Sequence, residues 1–197
     1  MISIRVANEP DASTMLEIYS PHILTSACTF ETELPALDQF QQRVTNNLRT
    51  YPWLVCVDEN RIAGYAYASK HREREAYQWT CECSVYVHEE FKGMAIGKKL
   101  YAALFKILQV QGFRNVYAGI TQPNVPSERL HAGCGFKLFA VYENIGYKSG
   151  KWHNVGWWKL QLNDYDLKPP PPKTFSEVDF ATLAEIFLEA ARLGNSS

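Results

Sequence analysis

The chain has 197 residues, 46% of them hydrophobic, with a formal net charge of −1 and a pI near 6.5. That suits one domain plus an appendage with a real core, and the balanced charge argues against a nucleic-acid binder that works by bulk electrostatics. The start Met1-Ile2-Ser3-Ile4-Arg5 has no secretory leader pattern, and no stretch approaches the roughly 20 apolar residues of a membrane span. Five cysteines without a regular framework suit a reduced, cytoplasmic chain.

Ile2-Ser3-Ile4-Arg5-Val6 alternates as a short strand. Asp11 is placed to cap a first helix, whose apolar positions Met15, Leu16, Ile18 and Tyr19 end before Pro21. Residues 25–35 read as a loop carrying Phe30. A second helix starts near Asp38 and uses Phe40, Val44 and Leu48. Residues 52–57 form a buried strand, and Asp58-Glu59-Asn60 turns it into a hairpin with residues 62–68. Lys70-His71-Arg72-Glu73-Arg74-Glu75 is a charge run of the kind usually found in a solvated loop.

The organising stretch follows. Thr80, Glu82, Ser84 and Tyr86 fall on one face of a strand, and Cys81, Cys83, Val85 and Val87 on the other. His88-Glu89-Glu90-Phe91 and the turn Lys92-Gly93-Met94-Ala95-Ile96-Gly97-Lys98 lead into a helix marked by Ile96, Leu100, Leu104, Ile107 and Leu108. A strand that enters a helix through a glycine turn aims backbone N–H groups and a positive helix end at one spot, which suits phosphate. Glu82 stands one strand length away as a possible base. Taken alone, a strand glutamate is ordinarily solvated and a glycine before a helix is ordinarily punctuation. Cys81 and Cys83, with His71 and His88 nearby, raise the question of a metal. The two cysteines share a buried face, however, and no second Cys-x-Cys or Cys-x-x-Cys exists, so core thiols and no metal are expected.

Residues 115–120 form another strand. Asn124 caps a helix with Pro126 in its first turn, and Gly135 stops it. Residues 136–142 and 155–162 read as closing strands around an aromatic-rich turn, 147–158. Lys168-Pro169-Pro170-Pro171-Pro172-Lys173 reads as a polyproline II spacer. Beyond it Leu183, Ile186, Phe187 and Ala190 make one apolar stripe. The expected division is a domain over 1–165, a proline-rich linker over 166–175, and an amphipathic helix and tail over 176–197.

This order of elements, with its glycine turn after the fourth strand, resembles the GCN5-related N-acetyltransferases (GNAT). Their pyrophosphate loop reads Gln/Arg-x-x-Gly-x-Gly/Ala. Here Lys92 replaces the Gln or Arg, and Ala95 replaces the middle glycine. Tyr51-Pro52-Trp53-Leu54-Val55, Arg74-Glu75-Ala76-Tyr77-Gln78-Trp79-Thr80, Ser84-Val85-Tyr86-Val87 and Trp152-His153-Asn154-Val155-Gly156 are similar to the phosphinothricin acetyltransferase branch. That branch includes the methionine sulfoximine and sulfone acetyltransferases. The likeness spans residues 2–162. It implies an α/β (α+β) fold with a central mixed, mostly antiparallel sheet flanked by helices on both faces.

The resemblance also implies a reaction: acetyl transfer from acetyl-CoA, as co-substrate, to the α-amino group of a small amino-acid-like amine. Glu82 then serves as general base. Backbone N–H groups near Val85, Tyr86 and Val87, on a bulged strand, hold the thioester. Lys92, Gly93, Met94, Ala95, Ile96, Gly97 and Lys98 cradle the diphosphate, with Lys99 adding charge. His131 stands where the family often places a tyrosine that protonates the leaving thiolate; its bland alternative is a surface histidine. Asn124 and Ser127 fall where the family touches CoA, and simple helix capping explains them equally. Phe30, Arg72, Arg74 and Tyr77 make the substrate end, since a guanidinium fork binds two acceptor oxygens at once. The Trp152-His153 segment implies a homodimer. Other readings are an acetyltransferase for an aminoglycoside, a polyamine or a protein N-terminus, or a non-catalytic acyl-CoA-binding regulator.

Overall fold

A computed structural model describes residues 1–194; the last three residues of the expected tail lie outside the described ones. Seven strands form one sheet in the order β1-β2-β3-β4-β5-β7-β6. They are β1 (Ile2–Val6), β2 (Trp53–Asp58), β3 (Arg61–Lys70), β4 (Thr80–Val87), β5 (Asn115–Gln122), β6 (Lys137–Lys148) and β7 (Lys151–Gln161). Every neighbouring pair is antiparallel except β4 with β5. The helices are α1 (Ala12–Leu24), α2 (Leu37–Asn47), α3 (Ile96–Gln111), α4 (Val125–Gly133) and α5 (Phe180–Arg192).

The strand alternation becomes two cores. Cys81 and Cys83 face α3 and α5, among Leu100, Leu104, Leu108 and Ile186. The opposite face carries Trp53, Val55 and Tyr65 against Met15, Tyr19 and Phe40 of α1 and α2. Burial in the first core pushes the Cys83 thiol up to about 12 and Cys81 well up, so both are inert packing groups.

Three expectations from the sequence change. The first helix runs through Pro21 to Leu24, because proline sits in the last turn and its own carbonyl still accepts from the Thr25 amide. Asp11 does not cap that helix; its carboxylate accepts from Arg5 (2.6 and 2.8 Å) and from the Asn8 amide. Residues 147–158 are no turn. β6 and β7 pair out to Lys148↔Lys151, and Ser149-Gly150, both at positive φ, make a two-residue hairpin turn.

The proline segment is a strap laid on the body. Pro170 O accepts from Trp79 Nε1 (2.8 Å), and Lys173 exchanges hydrogen bonds with Gln111. α5 then buries Leu183, Ile186 and Ala190 in the same core as α3.

Candidate active site

β3 and β4 pair in continuous register from Gly64↔Val87 to Lys70↔Cys81. The expected bulge in β4 is absent. The His88 amide donates to Ala63 O at 2.9 Å, and this fixes the parity of the ladder. Glu82, Ser84 and Tyr86 turn their backbone groups to β3, while Cys83, Val85 and Val87 turn theirs to β5. β5 stays paired with β4 only over Thr80–Glu82. Beyond Glu82 the two parallel strands part, so the Val85 and Val87 amides face an opening made by splay. Tyr86 cannot offer its amide there. Its ring packs edge-on to Tyr19 with centroids 4.8 Å apart, and burial pushes its phenol well up.

The start of α3 borders this opening. Gly93 and Ala95 both hold left-handed backbone, at φ +82° and +58°. Ala95 is the N-cap and offers no side-chain cap, so the Ile96, Gly97 and Lys98 amides donate to nothing among the described residues. A Cβ on Gly97 would lie 3.0 Å from Leu130 and 3.8 Å from Val85, so glycine lets α3 approach α4 and β4 closely. Met94 and Lys98 are exposed, Ile96 is core, and Lys92 pairs with Glu89. Lys99 does not join the cradle. It is 2% exposed, and its Nζ donates to the carbonyls of Ala191 (2.6 Å) and Leu193 at the end of α5.

On the α1–α2 face, Glu82 Oε1 meets His71 Nδ1 at 2.8 Å. The His71 ring stacks on Tyr117 (centroids 5.0 Å, planes 15° apart), with the rings of Tyr77 and Trp157 steeply inclined to it, each with its centroid at 6.2 Å. Arg72, Arg74 and Tyr77 line a cavity of about 230 Å³ that Tyr51, Phe113 and the strap residue Pro172 complete. Glu82 does not line it. Tyr77 joins the two, lining the cavity and standing beside the His71 ring that meets the carboxylate.

Phe30 lies flat on the β6–β7 hairpin: a Cβ on Gly146 would meet its ring at 2.2 Å. Lys148 Nζ donates to Thr29 O (2.8 Å), so loop 25–35 bridges from α1 to that hairpin. Phe30 is thus part of the loop's anchor, away from the Arg72–Arg74 cavity. Asn124 caps α4 by accepting from the Ser127 amide (3.2 Å), and its Nδ2 reaches Cys28 Sγ (3.5 Å).

His131 is 4% exposed. Its Nδ1 lies 2.8 Å from Ser127 O and 3.4 Å from Ser127 Oγ, and its Nε2 2.9 Å from Tyr101 OH. A carbonyl only accepts, so Nδ1 carries the proton and Nε2 accepts from the tyrosine. Desolvation lowers the histidine pKa and raises that of Tyr101 well above its ordinary value. Both ring nitrogens are occupied inside the core, which leaves neither free to protonate a thiolate.

The comparisons with known proteins agree with this frame. Residues 4–157 match the family described as acetyltransferase (GNAT) domain. The chain belongs to the GNAT acetyltransferases.

Among curated GNAT relatives, phosphinothricin N-acetyltransferase of Streptomyces viridochromogenes is 37% identical over 86% of this chain and 91% of its own length. The L-methionine sulfoximine/L-methionine sulfone acetyltransferase of Salmonella typhimurium is 30% identical over 82% of this chain and 96% of its own. A GNAT phosphinothricin acetyltransferase from Sinorhizobium meliloti, solved in complex with AcCoA, superposes with a TM-score of 0.82. It is 30% identical, covering 90% of this chain and 97% of that one.

Two GNAT-site features escaped sequence reasoning. His71 looked like one charge in a run. Extending the β3 alternation through Tyr67 and Ser69 would have placed it on the Glu82 face, because Ser69 pairs with Glu82. The strand splay has no signal in β4 itself, since it depends on where β5 is led by its neighbours.

Proposed function

We propose that this GNAT enzyme transfers acetyl from acetyl-CoA to the α-amino group of a small amino-acid-like acceptor, by direct attack in a ternary complex. One juxtaposition supports the reading. Where β4 leaves β5, a carboxylate–imidazole pair, two outward amides and the uncapped start of α3 share one opening. The amides of Val85 and Val87 suit the thioester and its developing oxyanion. Those of Ile96, Gly97 and Lys98 suit the diphosphate. The Glu82–His71 pair suits removal of the ammonium proton. His131 serves as a positioning group that fixes α4 to α3.

Arg72, Arg74 and Tyr77 favour an acceptor whose far end carries anionic or strongly hydrogen-bond-accepting oxygen. The relatives' names supply the class: phosphinothricin, methionine sulfoximine or methionine sulfone. The neutral sulfoximine or sulfone fits better beside Glu73 and Glu75. We also propose that the enzyme works as a homodimer.

Steady-state CoA release across amino acids, these analogues, polyamines and aminoglycosides tests the reading. At least one of the three analogues should be acetylated. Arg74→Ala should raise its KM more than it lowers kcat, because the cavity stands apart from the reacting centre. Turnover confined to polyamines or aminoglycosides would refute the acceptor class and leave the acetyl transfer standing.

A further inference from the structure

We propose that His71, not Glu82, takes the proton from the acceptor's ammonium, with Glu82 holding the imidazole in the tautomer that can do so. The inference rests on the reading above that an amine meets acetyl-CoA at the β4–β5 opening. An ionised carboxylate only accepts, so at 2.8 Å from Glu82 Oε1 the Nδ1 of His71 is the nitrogen that carries the hydrogen. In the neutral ring the lone pair is then on Nε2. Among the described residues Nε2 has no hydrogen-bond partner, and it is not one of the sealed polar atoms left unsatisfied, so it meets accessible space.

The ring cannot swing freely. Tyr117 covers one face at 5.0 Å, Tyr77 and Trp157 close its edges, and the side chain is only 14% exposed. Carboxylate, imidazole and free nitrogen therefore stand in the order that a base needs when a second group orients it. Imidazole is also the side chain whose proton exchange falls nearest neutral pH, which suits a general base.

The step balances as follows. The ammonium gives one proton to His71 Nε2, forming an imidazolium that Glu82 stabilises, and the freed amine lone pair attacks the thioester carbonyl carbon. Collapse of the tetrahedral adduct breaks the C–S bond, and the adduct's extra N–H proton passes to the departing sulfur. Amide and CoA thiol leave, and the imidazolium returns its proton to solvent.

Four variants test this, assayed with whichever amine the wild type turns over. His71→Asn keeps an N–H for Glu82 but has no basic nitrogen. It should lower kcat/KM for the acceptor by roughly 10²–10³-fold, with the acetyl-CoA KM within about twofold of wild type. The ascending limb of the pH–rate profile should vanish. Glu82, Tyr117 and Tyr77 are the titratable groups that face the ring from β4, β5 and the turn before β4, so the Glu82→Gln profile is measured beside it. Added imidazole should restore part of the His71→Ala rate, which a merely structural histidine would not allow. The pair His71→Asn with Glu82→Gln should lose little beyond His71→Asn alone, because the two act as a unit. Near-wild-type turnover of His71→Asn with the limb intact, or strictly additive losses in the pair, would overturn the assignment. If only polyamines are turned over, the acceptor reading falls while the His71→Asn ratio still decides the role of His71.

Discussion

At the scale of single residues, polar groups at the site are set by what occupies their second valence. His71 and His131 are both histidines joined to an oxygen through Nδ1, yet only His71 has Nε2 open. Spacing could place His131 on a helix and Glu82 on a strand. It could not reveal which nitrogen was already taken, because Tyr101 and Ser127 arrive from elsewhere in the chain. The buried His131 makes a stability prediction. Desolvation sets its folded pKa below the ordinary 6.5, so on acidification the unfolded chain takes up the proton first. Stability should therefore fall as pH drops below about 6.5, towards the lower folded value. His22, also lowered by burial, adds to the same slope. Urea unfolding of His131→Asn between pH 7 and 5 should show a shallower loss than wild type. The variant should be less stable throughout by roughly 1–3 kcal/mol, since the Tyr101 hydroxyl loses its acceptor. An unchanged pH slope would remove His131 from the acid sensitivity.

Elements with strong periodicity were legible, and those whose ends depend on distant partners were not. The β4 alternation and the α3 stripe predicted the faces that pack, and α5 followed from Leu183, Ile186 and Ala190. The β6–β7 hairpin was misjudged because its aromatics resemble a loop cluster, while the turn proper is only Ser149-Gly150. Lys99 was assigned to the phosphate on sequence proximity. Its four-carbon stem instead runs through the core to carbonyls at the end of α5, a cation at the negative end of a helix. The tail is thus an integral wall of the α3 core. Leu183→Ala should cost roughly 2–3 kcal/mol and lower the melting temperature by about 5–10 °C. Removing residues 176–197 would take Val178, Leu183, Ile186 and Ala190 out of the core together, bare the α3 side of that core, and bring the chain close to the limit of a domain's stability. A truncated protein that melts with the full chain would mean that α5 is only tethered.

At the scale of the whole molecule, the sheet has two edge strands. β1 packs Ile4 with α5 in the α3-side core, whereas β6 ends the sheet with Leu138, Phe139, Val141, Tyr142, Ile145 and Tyr147 all exposed, and Trp152 follows on β7. An open edge strand with so many apolar side chains is a surface that soluble chains cover. A second copy is the occupant we favour, because a two-fold axis lets one such arm meet its equal in a self-complementary contact. The arm also reaches the site. Its Gly146 seats Phe30, and its Lys148 holds the Thr29 carbonyl, so loop 25–35, which also meets Asn124 at the start of α4 through Cys28, is fastened to the proposed interface. Assembly and activity should then fail together. Sedimentation should give a particle of twice the 22.5 kDa chain. Ile145→Glu should shift it towards the monomer, because a charge at the buried centre of an isologous contact is met by its own copy. The monomer should keep its near-ultraviolet signal, since Ile145 is exposed in the single chain. Its acceptor KM should rise as loop 25–35 loosens, while the cradle at the start of α3 keeps its affinity for acetyl-CoA. A wild-type chain that sediments as a monomer at assay concentrations and turns over fully would leave β6 a bare edge and refute the coupling.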